Sequence, residues 1–317
     1  MKLEAKVGVV IPSYNGASFL EKTLFSLQNQ TFHDWEAVIV VDGSTDRTVE
    51  FFNDSTFVTD KRFHLLIQKN KGVSAARNAW LALCNTKYVA LLDHDDIWHS
   101  SKLMAQVNFL DSNPDYLACL CWYLTCKQSK EKYAFLRLFS YKDIEDMIKG
   151  WLSLTGDGPL APSTLMFRRQ QLNLNFTETL NAIGDLDFVL RLLVRGNLGL
   201  VKAPLVLYVQ HMAQMHRNSA AMEDYLSLYA NLTPTIEFKF SLDNKLLRSR
   251  VENHLLLVNM YKEFMESKEL LAKIKIFFGK GFWNLQLMLV VLRMLKKRVK
   301  GYYSMVRYFF LIRSLWR

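Results

Sequence analysis

The first hundred residues predict an α/β fold built on a doubly wound, mostly parallel sheet, Rossmann-like in outline. Three observations predict it. Strand-like runs alternate with helix-period runs. The strand-like runs are apolar almost throughout, as strands covered on both faces are. Polar clusters follow those runs directly, at the carboxyl ends of strands, where such sheets bind ligands.

Val7 to Ile11 is β-branched and stops at Pro12. Leu20, Leu24 and Leu27 then recur at i, i+4 and i+7, the spacing of an amphipathic helix. Ala37 to Val41 is the second strand, and the turn Asp42-Gly43-Ser44-Thr45-Asp46 leads into another helix, with Asp46 as its cap. Phe63 to Ile67 is the third strand, Val73 to about Cys84 a helix, and 88–92 the fourth strand. The order is less regular from Asp111 to Ile148, with an Asn113-Pro114-Asp115 turn, a Cys-rich strand and a charged stretch. Gly156 to Pro162 reads as a loop, Ser163 to Phe167 as a strand, Asp185 to Arg195 as a helix and Leu200 to Val209 as a strand. From Ala220 the chain is expected to be mostly helical to its end. The expected division is a catalytic domain over 1–219, split at residue 98 into two halves, and a helical, basic extension over 220–317.

Composition narrows the classes. Half of the 317 residues are hydrophobic, which excludes a disordered chain. Cys84, Cys119, Cys121 and Cys126 lie in apolar stretches without zinc spacing and read as buried thiols in a reducing compartment. Met1 to Lys6 is charged and runs into a strand, so no targeting segment is expected there. The net charge of +10 is uneven: residues 1–269 carry 29 basic and 30 acidic groups, and eleven Lys and Arg follow Glu269 with no acid among them. The neutral body gives no reason to expect nucleic acid as a partner.

The densest chemical signal is Asp93-His94-Asp95-Asp96, directly after the apolar run Tyr88 to Leu92. Three carboxylates at a strand end resist desolvation and repel one another. A hard divalent cation between the oxygens relieves both, with water and substrate phosphates completing the shell. A solvated turn in which Asp96 caps the next helix is the other reading.

The strings VGVVIPSYNG (7–16), VVDGSTDRT (40–48), NKGVSAARNAW (70–80), LLDHDDIW (91–98) and IGDLDFVLRL (183–192) resemble family-2 glycosyltransferases of the GT-A fold, in order and in separation, over roughly residues 5–218. The resemblance implies a nucleotide-sugar donor, most plausibly a UDP-sugar, with Mn2+ or Mg2+ as cofactor. Pro12, Tyr14 and Asn15 would border the base, against which Tyr14 lies, and Asp42 would accept from the uracil N3–H. Asn70, Gly72 and Arg77 would border the diphosphate and base, although Arg77 would serve equally in a structural bridge to an Asp. By resemblance Asp95 coordinates the cation, Asp93 faces the ribose or a metal water, and His94 lies beside the donor. His211, in a Tyr-x-x-His segment, would approach the metal or the diphosphate. Asp185 would be the general base of an inverting transfer, a role that N-capping of its helix does not exclude. Two departures stand out: Val41 replaces the first of two adjacent acids, and Gly184 replaces the acid before Asp185.

Gln214-Met215-His216-Arg217 is similar to an element of processive synthases, but Asn218 replaces its tryptophan, which favours transfer of one sugar. The apolar stretch Phe282 to Leu295 makes a helix of ~21 Å, short of the ~30 Å hydrocarbon core. Beside it Arg293, Lys296, Lys297 and Lys300 form a cationic stripe, the pattern of a helix lying on an anionic membrane. Residues 270–317 are thus expected on the inner face of the cell membrane, with a cytoplasmic catalytic domain. Packing on that domain or against a second copy of the chain is the alternative. A lipid-linked or cell-envelope glycan is the expected acceptor. The competing functions are a nucleotidyltransferase, against which the first strand's lack of a Gly-rich basic loop argues, and a catalytically degenerate scaffold at the membrane.

Overall fold

The computed structural model describes residues 5–129, 132–147, 161–170, 172–180 and 184–211. Most of the Gly156 to Pro162 loop, the Gln214–Arg217 element, the stretch from Ala220 and the basic tail lie outside the described residues. In chain order the elements are β1 (Val7–Ser13), α1 (Leu20–Gln28), β2 (Trp35–Asp42), α2 (Thr48–Asp54), β3 (Phe63–Gln68), α3 (Val73–Leu81), β4 (Tyr88–Leu91) and β5 (Ile97–Trp98), followed by α4 (Lys102–Ser112), β6 (Tyr116–Ser129), β7 (Lys132–Phe139), β8 (Met166–Arg168), α5 (Gly184–Arg195) and β9 (Asn197–Gln210).

The strands form one sheet in the order β3-β2-β1-β4-β8-β6-β9-β5, with β7 paired to β6. β1 to β4 are mutually parallel, and two antiparallel steps through β8 bring β6, and with it β9, back to the same direction. β5, β7 and β8 run the other way. The sheet is therefore mostly parallel, as its apolar strands require. β1 and β4 are buried along their whole length, and β2 at every position but the half-buried Glu36. α3 packs on β1 and β2, and α4 on β6 and β9.

Three boundaries differ from expectation for local reasons. β1 passes through Pro12 instead of stopping there, with Pro12 opposite Val40 of β2. The Val10 carbonyl accepts from Leu92 N, so Pro12, two residues on, presents its backbone to the same β4 side, where pairing has ended. A missing N–H there breaks no ladder bond. Ser163 lies in a 3-10 turn, Pro162–Thr164, ahead of β8 rather than in it. The charged stretch after the Cys-rich strand is a second strand, β7, that closes a long hairpin with β6. No described helix is long and apolar enough to cross a membrane.

At the amino end of β4, Arg168 is buried and ties three elements together. Its Nε donates to the Tyr116 carbonyl at 2.8 Å and one terminal nitrogen to the Leu110 carbonyl at 2.5 Å, while the other reaches the Tyr88 hydroxyl at 3.3 Å. Replacing Arg168 with Met would strand those carbonyls. The expected cost is about 2–4 kcal/mol, read as a melting temperature lower by roughly 2–4 °C per kcal/mol in thermal unfolding.

Candidate active site

Chain order reverses around β1, which has β2 on one side and β4 on the other. A crevice at the carboxyl ends of such strands is where this architecture takes ligands. Three loops and one helix start converge there.

The first wall joins the ends of β1 and β2. Asn15 sits at φ 52, an αL position that asparagine tolerates better than most residues. Its Oδ1 accepts from the backbone N–H groups of Thr45 (2.8 Å) and Asp46 (3.3 Å), and its own N–H donates to Ser44 Oγ. Asn15 thus fastens one loop to the other. Tyr14 beside it is 47% exposed, leaving its ring open to a planar partner. Asp46 accepts from Thr48 N at the start of α2, as a cap does, and also from Ala17 N.

The second wall is organised by Asp42. Its buried carboxylate accepts from Gln68 Nε2 (2.7 Å), Lys71 N (2.8 Å) and Gly72 N (2.8 Å). Oδ1 takes two of these bonds and Oδ2 one, which leaves a single acceptor direction on Oδ2. Asp42 therefore holds the 70–72 loop first, and offers one lone pair to anything else. Gly43 has φ +69, and a Cβ there would lie 2.5 Å from Asn70 N, so glycine permits the two loops to touch.

The acid turn forms the third wall, and each carboxylate has its own partner. Asp93 Oδ1 is held at 2.8 Å by Arg77, a residue buried on α3. Asp95 Oδ2 meets His211 Nε2 at 2.7 Å. Asp96 is fully buried and accepts from Ser163 Oγ at 2.5 Å and Val209 N at 3.2 Å. Asp96 does not cap α4, which begins at Lys102; it pins β9 and the 3-10 turn to the acid loop. Burial, then the charges of Asp95 and Asp93, push its carboxyl well above the ordinary range. Burial also pushes Asp95 upward, but the His211 bond and the charges of His94 and His211 outweigh it, and the net shift is downward. The His94 Nδ1–H donates to the Pro12 carbonyl, and the His211 ring stacks on Phe19 with centroids 4.4 Å apart.

Asp185 supplies the last piece from the first turn of α5. Its Oδ1 accepts from Leu186 N. Its pKa rises to about 6: burial drives it up, Arg77 and the Leu186 bond hold it down, and Asp93 adds to the rise. Asp187, by contrast, is consumed by Thr177 Oγ1 and Arg191. A Cβ at Gly184 would lie 2.4 Å from Ser74 Oγ, so a larger residue before Asp185 would require that hydroxyl to turn away.

Arg77, Asp93, His94, Asp95, Asp185 and His211 thus gather at one place, and Pro12, Tyr14, Asn15, Asp42, Asn70 and Gly72 shape the adjoining loops. Asp95 and His211 form a mixed oxygen–nitrogen pair that could hold Mn2+ or Mg2+ as two protein ligands. Asp93 engages Arg77 instead, and among the described residues no group of three ligand-type side chains could hold a metal unaided. Such a cation would need water and diphosphate to complete its shell. Burial drives the Tyr208 hydroxyl pKa upward, and the charges of Asp96, Asp95, Asp93 and Asp185 add to the rise. Sequence reasoning missed Ser163, whose hydroxyl accepts from Asp93 N (3.0 Å) and donates to Asp96. It also missed Phe19 and Thr23, whose hydroxyl lies within 3 Å of the His94 and Asp96 carbonyls. Serine, threonine and phenylalanine at these spacings carry no signal of their own.

This geometry has known counterparts. The chain is 38% identical over 105 residues to a putative teichuronic acid biosynthesis glycosyltransferase of Bacillus subtilis. It is 33% identical over 112 residues to the Escherichia coli UDP-Glc:alpha-D-GlcNAc-diphosphoundecaprenol beta-1,3-glucosyltransferase WfgD. The alignments cover 33% and 34% of this chain, and 41% and 42% of those relatives, less than half of either. Staphylococcus aureus TarS 1–349 in complex with UDP superposes with a TM-score of 0.58 at 18% identity, over 79% of this chain and 70% of that one, a likeness of fold. Residues 8–173 match glycosyl transferase family 2. With a GT-A sheet whose acid turn ends its fourth strand and a family match over more than half its length, the chain belongs to glycosyl transferase family 2.

Proposed function

We propose that the chain transfers one sugar, with inversion, from a nucleotide-sugar donor to a lipid-linked or cell-envelope glycan, and that UDP carries the sugar. The carrying observation is the gathering of the acid turn and the start of α5 around Arg77 and Tyr208. The E. coli relative that uses UDP-Glc and a diphosphoundecaprenol-linked acceptor supports the choice of substrates.

Each group then has a task. Tyr14 stacks on the base, and the remaining lone pair of Asp42 Oδ2 accepts from its edge. Arg77 faces the diphosphate: its Nε is buried and finds no acceptor among the described residues, a cost that an arriving phosphate oxygen removes. Asp95 and His211 are the proposed cation ligands, and Asp93 stays with Arg77 on the ribose side. A divalent cation bound there would offset the charge that develops on the departing diphosphate. Asp185 takes the proton from the acceptor hydroxyl as that oxygen attacks the anomeric carbon from the opposite face. A carboxylate near pH 6 suits this, because it is mostly ionised at neutral pH yet basic enough to hold the proton. The catalytic domain is proposed to span 1–219, and the basic tail 270–317 to keep it peripheral on the inner face of the cell membrane.

Differential thermal stabilisation with Mn2+ and UDP, GDP or dTDP should single out UDP; equal shifts for all three would break the donor assignment. Asp95→Ala should lower donor turnover by about 10²–10³-fold, and Asp185→Asn by about 10²–10⁴-fold. The Asn variant keeps an acceptor for Leu186 N and loses a buried charge, so its thermal stability at neutral pH should be no lower than the parent's. For the parent, kcat/KM should fall about tenfold per pH unit below about 6, as Asp185 takes up a proton and ceases to act as a base. A profile flat to pH 5 would remove Asp185 from that role.

A further inference from the structure

The β6–β7 hairpin has a surface that the catalytic reading leaves unused. Residues 134–138 of β7 are exposed without a break, so both faces of the strand meet solvent. Yet the run is Ala-Phe-Leu-Arg-Leu, with Phe135 68% exposed, Leu136 54% and Leu138 45%. A half-buried strand in a sheet of this kind alternates apolar-in with polar-out, and an apolar edge strand open on both faces is a liability that folds normally mask.

The patch lies in a basic stretch of sequence. The segment 127–142 contains Lys127, Lys130, Lys132, Arg137 and Lys142 against the single acid Glu131, while residues 1–269 as a whole are close to neutral. Lys127, Arg137 and Lys142 are exposed. Large exposed apolar side chains in a basic stretch are the make-up of a surface that enters an anionic lipid interface. A protein partner of ordinary composition would not ask for that excess of positive charge.

Position supplies the second argument. β6 runs parallel to β1 and β4, so its carboxyl end, paired with the start of β7, lies on the side of the sheet where the acid turn lies. In register, Phe135 pairs with Cys126, and Cys126 with Val209, the residue whose N–H donates to Asp96. Lys22 of α1 lies over the Tyr133 ring at 4.8 Å and ties the hairpin to the helix that follows Phe19.

We infer that the β6–β7 hairpin is a lipid-contacting element that seats the mouth of the active site on an anionic bilayer, through Phe135, Leu136 and Leu138 with Arg137 among the headgroups. This surface is distinct in sequence from the basic tail, and it extends the proposed lipid-linked acceptor without depending on the donor assignment.

The test uses the full chain and vesicles of phosphatidylcholine with or without phosphatidylglycerol. Hydrogen–deuterium exchange should show slower exchange over 132–139 with the anionic vesicles only, a readout local to the hairpin that the tail cannot imitate. Phe135→Ser, Leu136→Ser and Leu138→Ser combined should lower vesicle partition by about tenfold, and Arg137→Glu should weaken it most at low salt. Hydrolysis of UDP-sugar in solution should be unchanged in both variants, which also reports that they fold. Unchanged partition together with unchanged exchange over 132–139 would overturn the inference. So would protection of 132–139 without vesicles in a chain that elutes as a dimer, since the edge would then belong to self-pairing. Failure of the parent to turn over any nucleotide sugar would count against the catalytic reading and leave the vesicle result standing.

Discussion

Three carboxylates within four residues at the end of a buried strand are the constraint around which this structure is arranged. Left alone they would repel one another and resist leaving water. The fold answers each from a different element. Arg77 on α3 neutralises Asp93, His211 beyond β9 bonds Asp95, and Ser163 with the Val209 N–H satisfies Asp96. The acid turn is therefore a junction. Moving any of those three elements would leave a buried or half-buried acid without its partner.

The three acids consequently differ in character. Asp96, sealed among like charges, is pushed well above the carboxylate range and acts as a buried hydrogen-bonding post. Asp95 is held low by the histidines and stays available to a cation. Arg77 belongs to both halves of the site, since it binds Asp93 and lowers the pKa of Asp185 against burial. An arriving diphosphate would share that guanidinium and thereby loosen its hold on both carboxylates. In the proposed reaction, donor binding and the readiness of the base would be coupled through that one side chain.

The mostly parallel sheet, the α/β alternation and the acid turn were legible because they rest on periodicity and on residue types that are expensive to misplace. Arg77 among small residues and Asp185 at a helix start were legible for the same reason. Ser163, Phe19 and Thr23 were not, because their roles come from approaches between residues far apart in the chain, 67 to 73 positions for Ser163 and Thr23, that no local pattern encodes. β7 was read only as a charged stretch, since its strand face is apolar where a solvent-facing strand should be polar. Asp96 was misjudged as a cap because a carboxylate before a helix usually is one; here the sheet reaches it first.

The two departures from the family pattern follow the same logic. Val41 is buried on β2 between Ser13 of β1 and Ile67 of β3. An acid there would need a partner inside the sheet, and the neighbouring Gln68, Lys71 N and Gly72 N are already spent on Asp42. Gly184 sits where a side chain would strike Ser74 Oγ. A larger residue there would require the Ser74 hydroxyl to turn away, since the next nearest atoms, Ser74 Cβ and the Thr177 carbonyl, lie at 3.8 Å. Arg77 and the Leu186 N–H oppose the burial of Asp185, so a loosening of α5 from α3 would raise its pKa further and leave more of the carboxyl protonated at neutral pH. Glycine at 184 thus lets α5 start against α3 with Ser74 undisturbed.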